Sequence, residues 1–151
     1  MVRFKNRYLV CEIKWEDYKY DPNVKNKDIY ESIRESLAIN FGDHGTGLLL
    51  NSLSGNIHIV KYWNPATNIC IVRCLRDEFR ILWCSLTFIS HIRGRKVRIK
   101  VVYTGGTIRS CQKFVVKQIR SWVVESRSII EESRKRFQSV QILEDLEDLI
   151  P

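Results

Sequence analysis

Ten cations and no acid lie between Glu78 and Glu125: Arg80, Arg93, Arg95, Lys96, Arg98, Lys100, Arg109, Lys113, Lys117 and Arg120. In the middle of that stretch sits Thr104-Gly105-Gly106-Thr107-Ile108-Arg109, a glycine turn that opens onto a helical pattern. Small residues let a backbone come close to a ligand, and the first N–H groups of a helix point outward without partners of their own. Flanked by guanidinium and ammonium heads, such a turn suits phosphate oxygens. The alternative is a tight strand-to-helix turn that needs positive φ. Gly105, Gly106, Thr107, Arg109, Lys113 and Lys117 are the candidates for phosphate contact here, because cations follow the turn along one helical face. At 100° per residue, Arg109, Lys113, Lys117 and Arg120 fall within about 80° of one another. A second candidate group is Arg3, Lys5 and Arg7, three cations at alternate positions near the start of the chain.

Other chemistry has less to stand on. His44, His58 and His91 have no Cys or His nearby at metal-ligand spacing, and Cys70-x-x-x-Cys74 has no second pair, so core packing outweighs zinc. Asp17, Asp21 and Asp43 fall in loops with no partner carboxylate. Phosphate-binding P-loop and nucleophile-elbow motifs are missing. No catalytic residue and no metal ligand is assigned. Phe4, Tyr8 and Trp15 could stack on unpaired bases, yet core positions are the commoner use of this spacing. Lys96, Arg98 and Lys100 stay open between ligand contact and a plain solvated strand face.

The elements that must position these groups follow from hydrophobic period. Residues 3–15 alternate as a strand, with Leu9, Cys11, Ile13 and Trp15 on one side. Residues 16–26 are polar, contain Pro22 and read as loop. Asp28, with Glu31 three residues on, starts a helix through Ile29, Ile33, Leu37 and Phe41 that ends at Gly42. Residues 42–52 read as loop with a short apolar piece, Leu48 to Leu50. Strands over 56–63 and 68–75 flank the turn Asn64-Pro65-Ala66-Thr67. Asp77 and Glu78 open a helix whose apolar side is Phe79, Leu82, Trp83, Leu86 and Ile89. Gly94 ends that stretch, and residues 95–103 alternate again, with Val97, Ile99, Val101 and Tyr103 inward. A long helix then runs from Thr107 to about Phe137. The order predicts an α+β fold: a four-stranded antiparallel sheet with split βαβ topology, the RNA-recognition or ferredoxin-like pattern, plus an extra long C-terminal helix. Residues 1–138 would form this domain and residues 139–151 an acidic tail.

Composition agrees with a polyanion partner. The net charge is +8. The end of the chain carries Glu144, Asp145, Glu147 and Asp148 without a base, which leaves the remainder more cationic still. Five cysteines, an odd count with no CxxC, suit a reducing compartment. There is no apolar run long enough for a membrane span and no secretory h-region. RNA is the polyanion favoured by this reading. The alternatives are a basic module that binds an acidic protein, a stand-alone nuclease, for which acids do not cluster, and a membrane-surface helix, whose basic face Glu125, Glu131 and Glu132 interrupt.

The two cationic segments also carry a resemblance. Val2 to Glu12 (VRFKNRYLVCE) and Gly105 to Phe114 (GGTIRSCQKF) resemble the two signature segments of the small ribonuclease P and ribonuclease MRP protein subunit family called "processing of precursor RNA, five". The stretches Tyr62-Trp63-Asn64, Arg73-Cys74 and Glu78-Phe79 look like its central hairpin and following helix. The likeness covers about residues 1 to 120, and Asn6 and Val10 depart from the histidine and leucine of the family pattern. It implies an RNA-recognition-like fold and a subunit that is not itself catalytic. The particle's RNA would cut the 5′ leader from precursor tRNA, or process ribosomal RNA precursors in the MRP particle. This chain would bind no cofactor, with magnesium on the partner RNA. The implied partners are the P and MRP RNAs and other protein subunits, notably one with a TIM-barrel-like fold; precursor tRNA would be met indirectly. The implied place is the nucleus and nucleolus. By position, Arg3, Lys5, Arg7, Arg109 and Lys113 would contact RNA.

Overall fold

A computed structural model describes residues 5–19, 21–51 and 59–147, with side chains given to residue 47 in the first helix and to residue 132 in the last. The elements run β1 (Asn6–Trp15), α1 (Asn26–Asn51), β2 (Val60–Asn64), β3 (Ile69–Leu75), α2 (Phe79–Phe88), β4 (His91–Ile92), β5 (Arg95–Gly105) and α3 (Ile108–Glu147). Among the described residues there are five strands in one antiparallel sheet, in the order β2-β3-β1-β5-β4. That is one strand more than the four expected. The extra strand, β4, is only two residues long. It pairs with the start of β5 through a two-residue turn in which Arg93 (φ 51) and Gly94 (φ 77) both have positive φ. This is the primed hairpin geometry, whose twist matches the flanking strands. Gly94 thus turns a hairpin and does not simply end a helix. A two-residue strand is too short to show as alternation.

Two compact units divide the chain, Met1–Gln112 and Lys113–Pro151. The first holds the sheet, α1, α2 and the opening turn of α3; the described part of the second is the rest of α3, to Glu147. In the first unit, Leu9, Cys11, Ile13 and Trp15 of β1 face Ile29, Ile33 and Leu37 of α1 and Leu82 and Leu86 of α2 in one buried cluster. Each such aliphatic side chain contributes about 1.5–3 kcal/mol by leaving water. Val10, on the other face of β1, is buried as well, as are Ile69 and Ile71 outside that cluster, and a register shift between Val10 and Cys11 interrupts the ladder with β5.

Several element limits differ from those expected. The helix that starts near Asp28 does not end at Gly42. Gly42 takes a non-helical conformation (φ 60, ψ −148) and the helix resumes to Asn51, with Thr46 Oγ1 donating to the Gly42 and Asp43 carbonyls at 3.3 and 3.0 Å. A glycine can adopt that φ without a Cβ penalty, so it kinks the helix rather than closing it. Asp28 is not the cap itself. It sits in the first turn and accepts from the Lys25 N–H at 2.7 Å, while Glu31 pairs with Lys27 at 3.6 Å. Trp83, expected on the apolar side of α2, is exposed, as is Phe88. The last helix continues ten residues beyond the expected end at Phe137, to Glu147, and takes in much of the acidic segment. Residues 56–58 of the expected first hairpin strand, with His58, lie outside the described residues.

Candidate nucleic-acid interface

The β1–β5 ladder brings the two cationic segments together. Tyr8 is the partner of Gly105, and Leu9 that of Thr104. The chain therefore leaves β5 beside the place where β1 begins. Arg7 Nη1 donates to the Asn6 carbonyl at 3.3 Å and stands 3.5 Å from where a Cβ on Gly106 would be. Lys5 and Arg109 are exposed and Arg7 is half-buried. Among the described residues no carboxylate lies within ion-pair distance of Lys5, Arg7 or Arg109. Glu78 acts on the same Cys74 thiol as Arg7, so the end is not bare of acid, but no described carboxylate closes an ion pair with these three cations.

The glycine turn is built for close approach, not for positive φ. Neither Gly105 nor Gly106 has positive φ, so the strain alternative does not hold. A Cβ on Gly105 would lie 2.5 Å from Ser110 Oγ, 2.8 Å from Cys111 Sγ and 3.1 Å from the Tyr103 ring. Only hydrogen fits there because the first turn of α3 doubles back against the end of β5. The Cys111 thiol donates to the Tyr8 carbonyl at 3.7 Å, which ties that turn to β1. Thr107 caps α3: its Oγ1 accepts from the Ser110 N–H at 3.2 Å, and its carbonyl accepts from Ser110 Oγ at 2.7 Å. The N–H groups of the first turn have no partners within the helix and carry the positive end of its dipole. Lys113 and Lys117 lie further along α3, in the second unit, and are exposed. Arg3 and Phe4 lie outside the described residues.

The other end of the same strands is different. Arg95 donates through Nη2 to both Asp17 oxygens at 2.8 Å and through Nη1 to Asp21 at 3.0 Å, and its guanidinium lies 4.3 Å from the Trp15 ring centroid. Arg95 holds the Asp17 carboxyl below the usual carboxylate range. For Asp21 the Asn23 N–H comes first and Arg95 second, in the same direction. Lys96 pairs with Glu16 at 3.5 Å, Lys14 with Glu12 at 3.6 Å, and Arg93 reaches Asp28 at 4.0 Å and the Asn23 carbonyl at 3.0 Å. So the run of ten cations is not one field. Arg93, Arg95 and Lys96 are matched by acids more than 60 residues away in sequence, which a linear reading cannot pair. Asp17 and Asp21, loop acids without a partner carboxylate, are half of that network.

The remaining candidates fall into place by burial. Trp15 is core: it is 4% exposed and its Nε1 donates to Asn68 at 3.0 Å. Cys11, Cys70, Cys74 and Cys111 are buried free thiols; Cys11 and Cys70 face each other across β1 and β3. Burial and the Glu78 charge push the Cys74 thiol up to about 12, with Arg7 opposing. Among the described residues no group of three His, Cys, Asp or Glu could hold a metal ion. No described helix is long and apolar enough to cross a membrane.

The model of the Rpp14/Pop5 family matches residues 7–116, which is most of the chain. The chain belongs to the Rpp14/Pop5 family. The match takes in Arg7, the glycine turn, Arg109 and Lys113, and leaves Lys5 and Lys117 just outside. Among the relatives, the ribonuclease P/MRP protein subunit POP5 of Danio rerio is 36% identical over 124 residues, covering 80% of this chain and 72% of that protein. The subunit of the same name from Schizosaccharomyces pombe is 34% identical over 130 residues, covering 80% of this chain and 90% of the relative. The Homo sapiens subunit is 30% identical over 124 residues, covering 80% and 73%. A chain in the cryo-EM structure of yeast ribonuclease MRP has the same fold at a TM-score of 0.51 and 9% identity, covering 80% of this chain and 95% of that one.

Proposed function

We propose that this Rpp14/Pop5 family member is an RNA-binding protein subunit of ribonuclease P and ribonuclease MRP, and that it helps hold the catalytic RNA in its active shape. The observation that carries the reading is the juxtaposition of Lys5, Arg7, Gly106 and Arg109 at one sheet end with no described carboxylate within ion-pair distance of the three cations. A compact RNA must bring phosphates together, and fixed cations on a rigid scaffold relieve that repulsion without reading bases. The strand order supports an RNA-recognition-like, split βαβ reading: β3 lies between β1 and β2, and β5 flanks β1. On this reading the cut in precursor tRNA, or in ribosomal RNA precursors, is made by the particle's RNA with its own magnesium ions, and this chain binds no cofactor. Its partners are the P and MRP RNAs and neighbouring protein subunits, a TIM-barrel-like one among them, in the nucleus and nucleolus.

The test is binding of the particle RNA by the full chain across a salt series. The wild type should bind with a steep salt dependence, and Arg7→Gln with Arg109→Gln should flatten it. Equal binding and slope in a folded double variant would remove the cradle from the reading. Preference for polyglutamate over RNA would turn it toward an acidic protein partner.

A further inference from the structure

A second pair of cations stands away from the glycine turn. β2 is an edge strand, and its register against β3 slips between Val60 and Tyr62, which leaves Lys61 as the extra residue of a bulge. A bulge takes a residue out of the ladder and re-aims its side chain. Arg73 lies on the neighbouring strand, where its N–H donates to the Ile59 carbonyl at 2.8 Å. Val60 and Val72 both point into the core, so Arg73 next to Val72 faces the other side of the sheet, as does Tyr62 opposite Ile71. Lys61 and Arg73 are half-buried, and among the described residues no carboxylate comes within ion-pair distance of either. Burial, and then the Arg73 charge, push the Lys61 ammonium below its ordinary range. The Tyr62 ring, 38% exposed, sits beside them with its hydroxyl accepting from Asn64 Nδ2 at 3.2 Å.

We propose that Lys61 and Arg73 form a second phosphate-contact point, with the Tyr62 ring beside it as a platform for an unpaired base. This rests on the RNA-binding reading above. The row Arg73–Tyr8–Gly105 runs straight across β3, β1 and β5. Two strand spacings separate its ends by roughly 10 Å, but Val10 and Ile71 beside that row and Gly105 at its end are buried, so the pair stands as a contact of its own at the edge of the sheet. Cation plus aromatic ring is the combination that holds single-stranded RNA: the phosphate is neutralised and the base has a face to stack on. A paired helix keeps its bases stacked inside and could use only the cations.

The experiment titrates the full chain with a short oligouridylate and with a fully paired RNA hairpin over a salt series, and follows thermal unfolding without RNA. Lys61→Gln with Arg73→Gln should weaken both ligands and flatten the oligouridylate salt slope by roughly 1.4, about 0.7 for each phosphate that is no longer neutralised. Thermal unfolding of the free chain should stay where it was or rise, because two opposed charges are gone. Lys61→Arg should keep the wild-type slope. Tyr62→Ala should weaken the oligouridylate roughly tenfold and the hairpin little, and Tyr62→Phe should keep most of the affinity. If the double variant does not fold, Lys61→Gln alone, on the edge-strand bulge, carries the same test with half the slope change. An unchanged slope in the folded variant, while Arg7→Gln with Arg109→Gln still flattens it, overturns this site and leaves the broader reading intact. Failure of the wild type to bind either RNA overturns both. Loss of polyglutamate binding with RNA binding intact assigns the pair to an acidic protein and overturns the proposal.

Discussion

The two ends of the β1–β5 ladder carry similar cations in opposite electrostatic states. Where β1 finishes and β5 begins, Arg95 is bracketed by Asp17 and Asp21 and laid on Trp15, and Lys96 and Lys14 have glutamates beside them. Where β1 begins and β5 finishes, Lys5, Arg7 and Arg109 meet no described carboxylate. The first arrangement uses its charge inside the chain and pins the loop over residues 16–19 and 21–25 to the sheet. The second makes no ion pair with any described carboxylate, and on the proposed reading its charge serves the RNA. Arginine count alone does not mark a binding surface; what marks it is where the chain has failed to supply counter-charge.

That contrast can be broken by exchanging the damage. Arg7→Gln with Arg109→Gln should have the largest effect: RNA affinity at low salt should fall about tenfold to a hundredfold, since a charged hydrogen bond contributes about 1.5–3 kcal/mol before screening. The salt slope should flatten by roughly 1.4–1.8, and thermal unfolding should hardly move. Arg95→Gln should do the reverse, lowering the unfolding temperature and leaving the salt slope of RNA binding alone. Equal effects of the two variants on RNA binding would abolish the distinction between the ends.

Gly105→Ala comes next. Its methyl would lie 2.5 Å from Ser110 Oγ and 2.8 Å from Cys111 Sγ, so the first turn of α3 must move off β5. Overpacking of this kind costs about 1–3 kcal/mol, which denaturant unfolding resolves. Thr107→Ala removes the cap on the Ser110 N–H and should cost about 1 kcal/mol by the same measurement. A cost for Thr107→Ala larger than that for Gly105→Ala would mean that the cap, and not the missing side chain, fixes where α3 starts.

What is legible in the sequence is local. Alternation gives β1 and β5 their faces, and the apolar spacing of Ile29, Ile33 and Leu37 puts α1 on the sheet. The Tyr8–Gly105 register sets the glycine turn beside Lys5 and Arg7, an adjacency that charge does not foretell because like charges repel. The rest depends on pairing across distance. Nothing in Asp17 or Asp21 tells a reader that Arg95, more than 70 residues later, will lie between them. Trp83 obeys helical spacing with Leu82 and Leu86, yet it is exposed, because a helix this short buries only a narrow stripe. Lys61 and Arg73 give no signal in the sequence, since a bulge on an edge strand has no periodic signature. The glycines also mislead: a turn motif suggests unusual φ, whereas here the constraint is the approach of another element.

The acid end of the contrast predicts a modest pH effect. The folded carboxyls of Asp17 and Asp21 titrate below their unfolded value of about 3.9, so their contribution is complete above that value and is lost as pH falls from there through the folded pKa. Asp17 is exposed and Asp21 half-buried at the surface, where solvent screens both, so the change is small. Unfolding temperature should fall more steeply below pH 4 in the wild type than in Asp17→Asn with Asp21→Asn. Parallel curves would mean that Arg95 is held by Trp15 and not by its acids.

Gly106→Ala should be the mildest change and the sharpest probe. A Cβ there meets only Arg7 Nη1 at 3.5 Å, an ordinary contact, so stability should stay within about 0.5 kcal/mol of wild type. The methyl nevertheless enters the space between the Arg7 guanidinium and the backbone at the opening of α3, where a phosphate oxygen would approach. If an anion is held against the backbone itself, RNA affinity should drop while the salt slope is retained, because no charge has been removed. If Arg7 and Arg109 act only as long-range charges, Gly106→Ala should bind RNA like the wild type. Thus one methyl distinguishes a cradle from a field: the glycine pair matters to the ligand only if the ligand touches it.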